Sequence, residues 1–227
     1  MHNQLGWNED SPPPAHHIRA LADCGDLPYL LRAYFSWKFG LSFRYSECSR
    51  GTGKKGPQCS GEIDNESNRH QRILHPVKRM NHFLEVLTWK VHSGTFRTLP
   101  GSETSDFYPI ALKRSAILPG TVFVDSGGHI LMISQWNAEG LFAVDGHPDK
   151  TVTRRSFKPK FFPVYPKLST GGFKAFRPFE YHVNSWVPTP NRTLTPVYSD
   201  MQYAFSSRQS FYNVMIREIQ KLSVPIR

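Results

Sequence analysis

The chain has 227 residues and a mass of 26.0 kDa, and 39% of its residues are hydrophobic and 20% charged. This length and composition predict a single domain over residues 1–227 rather than two independent cores. No run approaches the roughly 18 consecutive apolar residues of a membrane-spanning helix, and no signal peptide is visible, so the sequence is typical of a soluble protein. It does not indicate a compartment, whether cytoplasmic or reached by leaderless export, nor an oligomeric state.

Basic residues outnumber acidic ones, with 28 Lys and Arg against 18 Asp and Glu, which gives a net charge of +10 and an isoelectric point near 9.6. A charge of this sign attracts nucleic acid, anionic lipid or acidic polymers such as cell-wall material. The basic residues are scattered rather than clustered, which is typical of a solvated surface. We therefore expect no dedicated nucleic-acid site.

The first predicted element is a helix that begins close to Cys24 and ends at Gly40. Asp23 occupies the N-cap position, Asp26 follows three residues later as a reciprocal acid, and Pro28 is acceptable in the first turn. Cys24 therefore opens the helix, where unpaired amides and the macrodipole favour a negatively charged thiolate. The predicted buried stripe comprises Leu27, Leu30, Leu31, Tyr34 and Phe35.

Residues 44–72 are rich in Ser, Gly, Lys, Asn and Glu and lack apolar periodicity, which predicts a flexible surface insertion with little structure of its own. A second helix follows, with Pro76 in its first turn and Ser93-Gly94 at its end. Its predicted buried stripe comprises Val77, Met80, Phe83, Leu84, Leu87 and Val91.

The hydrophobic pattern changes period over residues 120–149 and predicts an antiparallel meander of three short strands. The apolar runs cover residues 121–124, 130–133 and 141–144. Residues 157–196 are rich in Pro and Phe and predict irregular chain with one further strand, and residues 208–222 predict a closing helix. Helices combined with an antiparallel sheet define an α+β fold.

Three cysteines are present, Cys24, Cys48 and Cys59. The last two close a small disulfide in an oxidising compartment and are free thiols in a reducing one, and the sequence leaves both open. With His70 and His75 they also offer four metal-ligating side chains, but the segment between the two cysteines is far longer than the roughly two to four residues usual in zinc sites. We therefore predict no metal and no cofactor.

His129 opens the second strand of the meander directly after Gly128. A buried apolar strand has little use for an imidazole unless the ring is paired. Asp145 follows the next strand, and a three-residue loop at 138–140 would place Ile133 opposite Asp145, so that His129 and Asp145 share one face of the sheet. A two-residue loop would instead send Asp145 to the other face.

A thiolate at a helix N-terminus, an imidazole on a facing strand and a carboxylate on the neighbouring strand form the layout of cysteine acyl-transfer enzymes. The segments Asp23-Cys24 and Gly128-His129-Ile130-Leu131-Met132-Ile133, followed by Asp145, resemble the papain-like hydrolases of the NlpC and CHAP type and the related amidase effectors. The resemblance covers residues 23–41 and 118–149. Gly25-Asp26 departs from the Ser-Gly that follows the cysteine in this family, and Cys24 and His129 are further apart in sequence than in compact members.

The resemblance implies a papain-like α+β fold, in which the cysteine-bearing helix packs on an antiparallel sheet, and a bacterial cysteine peptidase or amidase. Its substrates would be peptides, commonly the stem peptides of peptidoglycan. It assigns Cys24 as the nucleophile, His129 as the general base and Asp145 as the group that orients the ring, with His147 and Asp149 as alternatives for the third position. Two other functions remain open: thiol acyl transfer to an amine, and a non-catalytic basic module that holds an acidic polymer and in which Cys24 is a small core residue.

Overall fold

A computed structural model of the chain describes residues 17–19, 21–50, 57–67, 72–97, 99, 101–125, 127–164 and 171–221. The helices within these residues are α1 (Asp26–Phe39), α2 (Pro76–Lys90) and α3 (Arg208–Gln220). The strands are β1 (Arg44–Cys48), β2 (Cys59–Asp64), β3 (Phe107–Pro109), β4 (Val122–Val124), β5 (Ile130–Asn137), β6 (Gly140–Gly146), β7 (Val152–Ser156), β8 (Gly172–Phe176), β9 (Phe179–His182) and β10 (Ser185–Pro188). None of these helices combines the length and the apolar character needed to cross a membrane.

Six strands form one antiparallel sheet in the order β3-β8-β4-β5-β6-β7, while β1 pairs with β2 and β9 pairs with β10 in two separate hairpins. The core that α1 and α2 share with the large sheet includes Val122, Val124 and Ile130. The core that α3 shares with it includes Phe123 and Leu131. Alternate residues of a strand therefore enter different cores, as the period of two requires. The predicted α+β class is confirmed, with helices on both faces of the sheet.

Helix α1 forms where the sequence predicts it, but its buried face is rotated. Gly40 ends the helix in the left-handed region at φ 69°, and its amide bonds to the carbonyls of Ser36 and Trp37. Phe35, predicted to be buried, is 47% exposed, whereas Tyr29 is 0% exposed. The Tyr29 hydroxyl donates to Asp106 Oδ2 at 2.9 Å, so a buried hydrogen bond to a distant residue selects the face.

The segment predicted as an insertion with little structure contains the β1–β2 hairpin. Its first strand is buried at Arg44, Tyr45 and Ser46. Asp106 accepts hydrogen bonds at 2.8 Å from the Arg44 guanidinium and from the Ser46 amide, so a buried ion pair anchors the hairpin to the rest of the domain. The prediction missed this because polar partners from remote parts of the chain, rather than an apolar periodicity, bury the strand.

The β5–β6 hairpin has the shorter of the two loops that the sequence left open. A two-residue turn pairs Asn137 with Gly140, which is the loop length expected to send Asp145 to the opposite face. The ladder then shifts between Ile133 and Gln135 and continues with Ile133 opposite Ala143. This bulge adds the missing residue, so odd-numbered residues of both strands again share a face. Continued one pair further, the ladder places Leu131, and not Ile133, opposite Asp145.

The chain after the meander is more regular than predicted. Strand β7 follows β6 as a further hairpin, and residues 157–196 contribute three strands instead of one. Strand β8 lies between β3 and β4, where Phe173 pairs with Phe123 in the sheet interior. Such pairing between remote segments leaves little local signal. Helix α3 begins at Arg208 as predicted, and Leu222 lies outside the described residues.

Candidate active site

Reciprocal side-chain caps hold the first turn of α1. Asp23 Oδ1 accepts hydrogen bonds from the amides of Gly25 at 2.8 Å and Asp26 at 3.1 Å, and Asp26 Oδ2 accepts one from the Asp23 amide at 3.2 Å. The Asp23 carbonyl accepts the first helical bond, from Leu27, at 3.1 Å. Asp23 therefore acts as the predicted N-cap. Cys24 lies half-buried in the turn that follows it.

Two glycines allow neighbouring chain segments to approach this turn. A β-carbon on Gly25 would lie 2.8 Å from the Ser93 amide nitrogen, and one on Gly146 would lie 2.7 Å from the Asp23 carbonyl oxygen. Both distances are too short for any larger residue. Gly146 thus lets the end of β6 meet the start of α1. Gly25, the departure from the family pattern, has a steric reason in this chain.

The turn before β5 positions His129. The His129 amide donates to Asp125 Oδ1 at 2.8 Å, and its carbonyl accepts from the Asp125 amide at 2.9 Å. Gly128 has a φ of 94°, in the region that favours glycine. The ring places Nε2 at 2.8 Å from Asp145 Oδ2, and the Cys24 side chain lies close enough to the ring to raise its pKa. Since Nε2 faces the carboxylate, Nδ1 is the ring nitrogen left for the sulfur.

Both partners favour the charged form of the His129 ring. The hydrogen bond to Cys24 is the largest cause, and against the opposing effect of burial the bond to Asp145 adds to it, which raises the pKa of His129 from 6.5 to about 9. The ring is therefore an imidazolium at neutral pH.

Asp145 is fully buried, with 0% of its surface exposed. Burial raises its pKa, but hydrogen bonds from Thr153, His129 and Arg155 outweigh that effect and hold the pKa of Asp145 below its usual value. Arg155 Nε lies 2.9 Å from Asp145 Oδ2. The carboxylate therefore stays ionised and orients the His129 ring through Nε2.

Of the three candidates for the third residue, Asp145 is the one bonded to His129. His147 Nε2 lies 3.4 Å from Asp145 Oδ2, and the centroids of the two imidazole rings are 5.9 Å apart. The Asp149 carboxylate instead accepts bonds from the amide and hydroxyl of Thr151. The structure therefore brings Cys24, His129 and Asp145 together, with His147 beside them.

Sequence reasoning missed the strand that completes the site. In β7, Thr153 pairs with Asp145 and Arg155 pairs with Ala143, so both side chains reach the buried carboxylate. The strand has the sequence Val-Thr-Arg-Arg-Ser. It lacks an apolar alternation because the side chains that it directs toward Asp145 are polar. The turn residues Asp149 and Lys150 directly after β6 were the available signal for a further hairpin.

Cys48 and Cys59 form a disulfide at the loop end of the β1–β2 hairpin, which resolves the alternative left by the sequence. Cys24 is thereby the free cysteine of the chain. A disulfide sulfur is not a thiolate ligand, so neither cysteine is available for the zinc arrangement weighed above. His70, the third member of that arrangement, lies outside the described residues.

Asp26, two residues after Cys24, has a carboxyl group with a perturbed pKa. Burial is the largest cause and the nearby Asp23 charge adds to it, against the bond from the Asp23 amide, so the pKa of Asp26 rises from 3.8 to about 6. Between pH 3.8 and about 6, Asp26 is therefore protonated in the folded state and ionised in the unfolded state. Its stability falls as the pH rises through that window and levels off above it.

Asp26→Asn should stabilise the protein at pH 8 and leave it almost unchanged at pH 3.5, because the amide keeps an acceptor for the Asp23 amide without a buried charge. The expected gain in the free energy of unfolding at pH 8 is on the order of 2 kcal/mol. Urea denaturation across this pH range measures it. The matched control is Glu85→Gln, which neutralises an exposed acid on α2. A gain that is independent of pH, or equal in the control, contradicts the role of the buried charge.

A cavity of about 590 Å³ lies beside α2, lined in part by His17, Leu21, Leu30 and His82. None of the three residues brought together above lines it. This cavity is therefore separate from the thiol and the imidazole, and the chemistry of the site rests on the residues at the start of α1 and the ends of β5 and β6.

Comparison with known proteins gives no match to a family model, to a curated protein or to a solved structure.

Proposed function

We propose that this protein is a cysteine-dependent amidohydrolase with a papain-like α+β fold, which cleaves amide bonds in peptides such as peptidoglycan stem peptides. The observation that carries the proposal is the bonded series of Cys24, His129 and Asp145. A half-buried thiol beside an imidazolium, with a buried carboxylate behind the ring, meets the geometric requirements for nucleophilic catalysis. A cysteine that serves only to fill a core needs neither partner.

In the first half of the reaction the Cys24 thiolate attacks the carbonyl carbon of the bound amide and a C–S bond forms. The tetrahedral oxyanion then collapses, the C–N bond breaks, and the His129 imidazolium gives its Nδ1 proton to the leaving amine. The products of this half are the free amine, an acyl thioester on Cys24 and a neutral imidazole. Asp145 holds the ring in place through Nε2 in both charge states.

In the second half, neutral His129 takes a proton from water while the hydroxide oxygen attacks the thioester carbonyl. The C–S bond breaks, which releases a carboxylic acid and restores the thiolate and the imidazolium. The amide of Cys24 donates no hydrogen bond within the part of the chain that the structure describes. At the N-terminus of a helix, this amide is suitably placed to stabilise the oxyanion in both halves.

The disulfide supports a place of action outside a reducing cytosol, because such bonds persist in oxidising environments such as the bacterial periplasm. Peptidoglycan lies in that environment, and the net charge of +10 favours an acidic polymer. The disulfide also leaves one free thiol on the chain, so thiol reagents report on Cys24 alone.

The test is to incubate the protein with muropeptides and with a defined peptide mixture in water enriched in ¹⁸O, followed by mass spectrometry. Hydrolysis predicts new amines paired with carboxylates that carry ¹⁸O, and their loss when the protein has first been alkylated at Cys24. Products without ¹⁸O but joined to an added amine would identify acyl transfer instead. Binding that weakens steeply with salt, without any cleavage, would identify the non-catalytic module and overturn the proposal.

A further inference from the structure

A short segment that the mechanism does not use, the 3₁₀ turn Ser93–Phe96 together with Arg97, lies against both halves of the candidate site. Ser93 approaches Gly25, the neighbour of the nucleophile, where a β-carbon would meet its amide nitrogen at 2.8 Å. A β-carbon on Gly128, the neighbour of His129, would lie 3.6 Å from Ser93 Oγ and 3.5 Å from a terminal nitrogen of Arg97. The hydroxyl and the guanidinium therefore lie beside Gly128, the neighbour of His129, and the Ser93 backbone lies beside Gly25, the neighbour of Cys24.

These two side chains are not used by the fold. Within the described residues Arg97 makes no ion pair, and neither its guanidinium nor the Ser93 hydroxyl takes part in a hydrogen bond. Both residues are half-buried. A guanidinium that is held beside a reactive centre without a carboxylate partner is the usual arrangement for binding an anionic group of a ligand.

A buried lysine and a small cleft lie next to Arg97. Lys174 is fully buried near Arg97 and donates to the Phe96 carbonyl at 2.7 Å, directly before Arg97 in the chain. Burial, and then the charge of Arg97, lower the pKa of Lys174 well below its usual value. Arg97 also lines a cleft of about 250 Å³ together with Gln58, Ser102, Thr104 and Ser105. Among the described residues that line this cleft Arg97 is the cation, whereas Cys24, His129 and Ser93 do not line it.

We propose that Arg97, assisted by Ser93, binds a carboxylate of the substrate next to the scissile amide, so that the enzyme selects acidic acyl groups. This inference rests on the proposed function and names its substrate class. Arg97 would act as a specificity residue, since it forms and breaks no bond itself. A neutral amide of the same size would leave its guanidinium unpaired and would bind less well.

The experiment compares iodoacetate with iodoacetamide on the full chain. In both reactions the Cys24 sulfur displaces iodide, and the reagents differ in having a carboxylate or a carboxamide. We expect Arg97→Gln to lower the ratio of the two rate constants, iodoacetate over iodoacetamide, by about three- to tenfold, the size of effect that one nearby charge has at a protein surface. The matched control is Arg192→Gln, which removes an exposed arginine from a remote 3₁₀ turn. An unchanged ratio, or an equal fall in the control, overturns the role of Arg97.

A second measurement needs no variant, in case Arg97→Gln does not fold. Glutarate should slow the alkylation of the wild-type protein by iodoacetamide, and glutaramide should not. Equal protection by both compounds, or by neither, overturns the inference.

The absolute rate of alkylation by iodoacetamide separates this inference from the proposed function. A fast rate without any preference for an anion leaves the proposed hydrolase intact and removes only the carboxylate site. A rate no higher than that of free cysteine overturns both.

Discussion

Replacing Cys24 with alanine should abolish amide hydrolysis, with a loss of about 10⁴-fold or more, because no other group can form the acyl intermediate. Alkylation by iodoacetamide should disappear at the same time, since Cys48 and Cys59 are joined in a disulfide. The side chain is half-buried and small, so the free energy of unfolding should change by no more than about 1 kcal/mol. Mass spectrometry of labelled protein and thermal melting measure the two effects.

Cys24→Ser is the matched variant, because it keeps the size and polarity of the side chain and removes the reactive sulfur. It should melt as the wild type does and hydrolyse as poorly as the alanine variant. The opposite pattern, in which both variants lose several kcal/mol of stability while hydrolysis continues, would show that the cysteine is a core residue and that the chemistry lies elsewhere.

His129→Ala should lower amide hydrolysis by about 10²- to 10⁴-fold, the range usual for a general acid and base. The pH dependence is the sharper readout. With a pKa of His129 near 9, the wild-type ring remains a cation at neutral pH, so alkylation of Cys24 by iodoacetamide should already be fast at pH 7. In the variant the rate should instead rise about tenfold per pH unit below about 8.5, as for an ordinary thiol.

The same pKa determines two further trends for the wild-type protein. Hydrolysis should decline as the pH rises past about 9, because the proton for the leaving amine is lost. The contribution of the charged ring to stability is fully present below pH 6.5 and disappears as the pH rises to about 9, since the folded state holds the proton more tightly than the unfolded state. His182→Ala, at an exposed histidine on β9, is the control and should show neither trend. A wild-type alkylation profile identical to that of His129→Ala would contradict the thiolate–imidazolium pair.

The local parts of the site could be read from the sequence because short-range rules determine them. The Asp23 cap and the reciprocal bond from Asp26 follow from residue types three positions apart, and the structure has both. Gly128 before His129 marks a turn that leads into an apolar strand, and the turn is present. The sequence left the hairpin loop open between three residues and two; the loop has two, and His129 and Asp145 meet because a bulge compensates for the shorter loop.

The groups that surround the nucleophilic residues could not be predicted in the same way. Arg155 reaches Asp145 from a strand without an apolar pattern, and Ser93 and Arg97 reach the site from the turn after α2. The β1–β2 hairpin, predicted as a loop, is held by a buried ion pair between Arg44 and Asp106. In each case the partner lies far away in sequence, so neither residue carries a periodic signal.

By itself the sequence determined the α+β class, the helix that directly follows Cys24, and the candidate thiol, imidazole and carboxylate. These follow from capping, hydrophobic period and residue chemistry, all of which act within a few positions of the chain. Only the tertiary structure decided that Cys24 lies near the His129 ring, that Asp145 rather than Asp149 bonds to that ring, and that Arg97 lies beside Gly128. Contacts between remote segments form only when the helices and strands pack against one another. The close approach of Gly146 to Asp23 is one such contact.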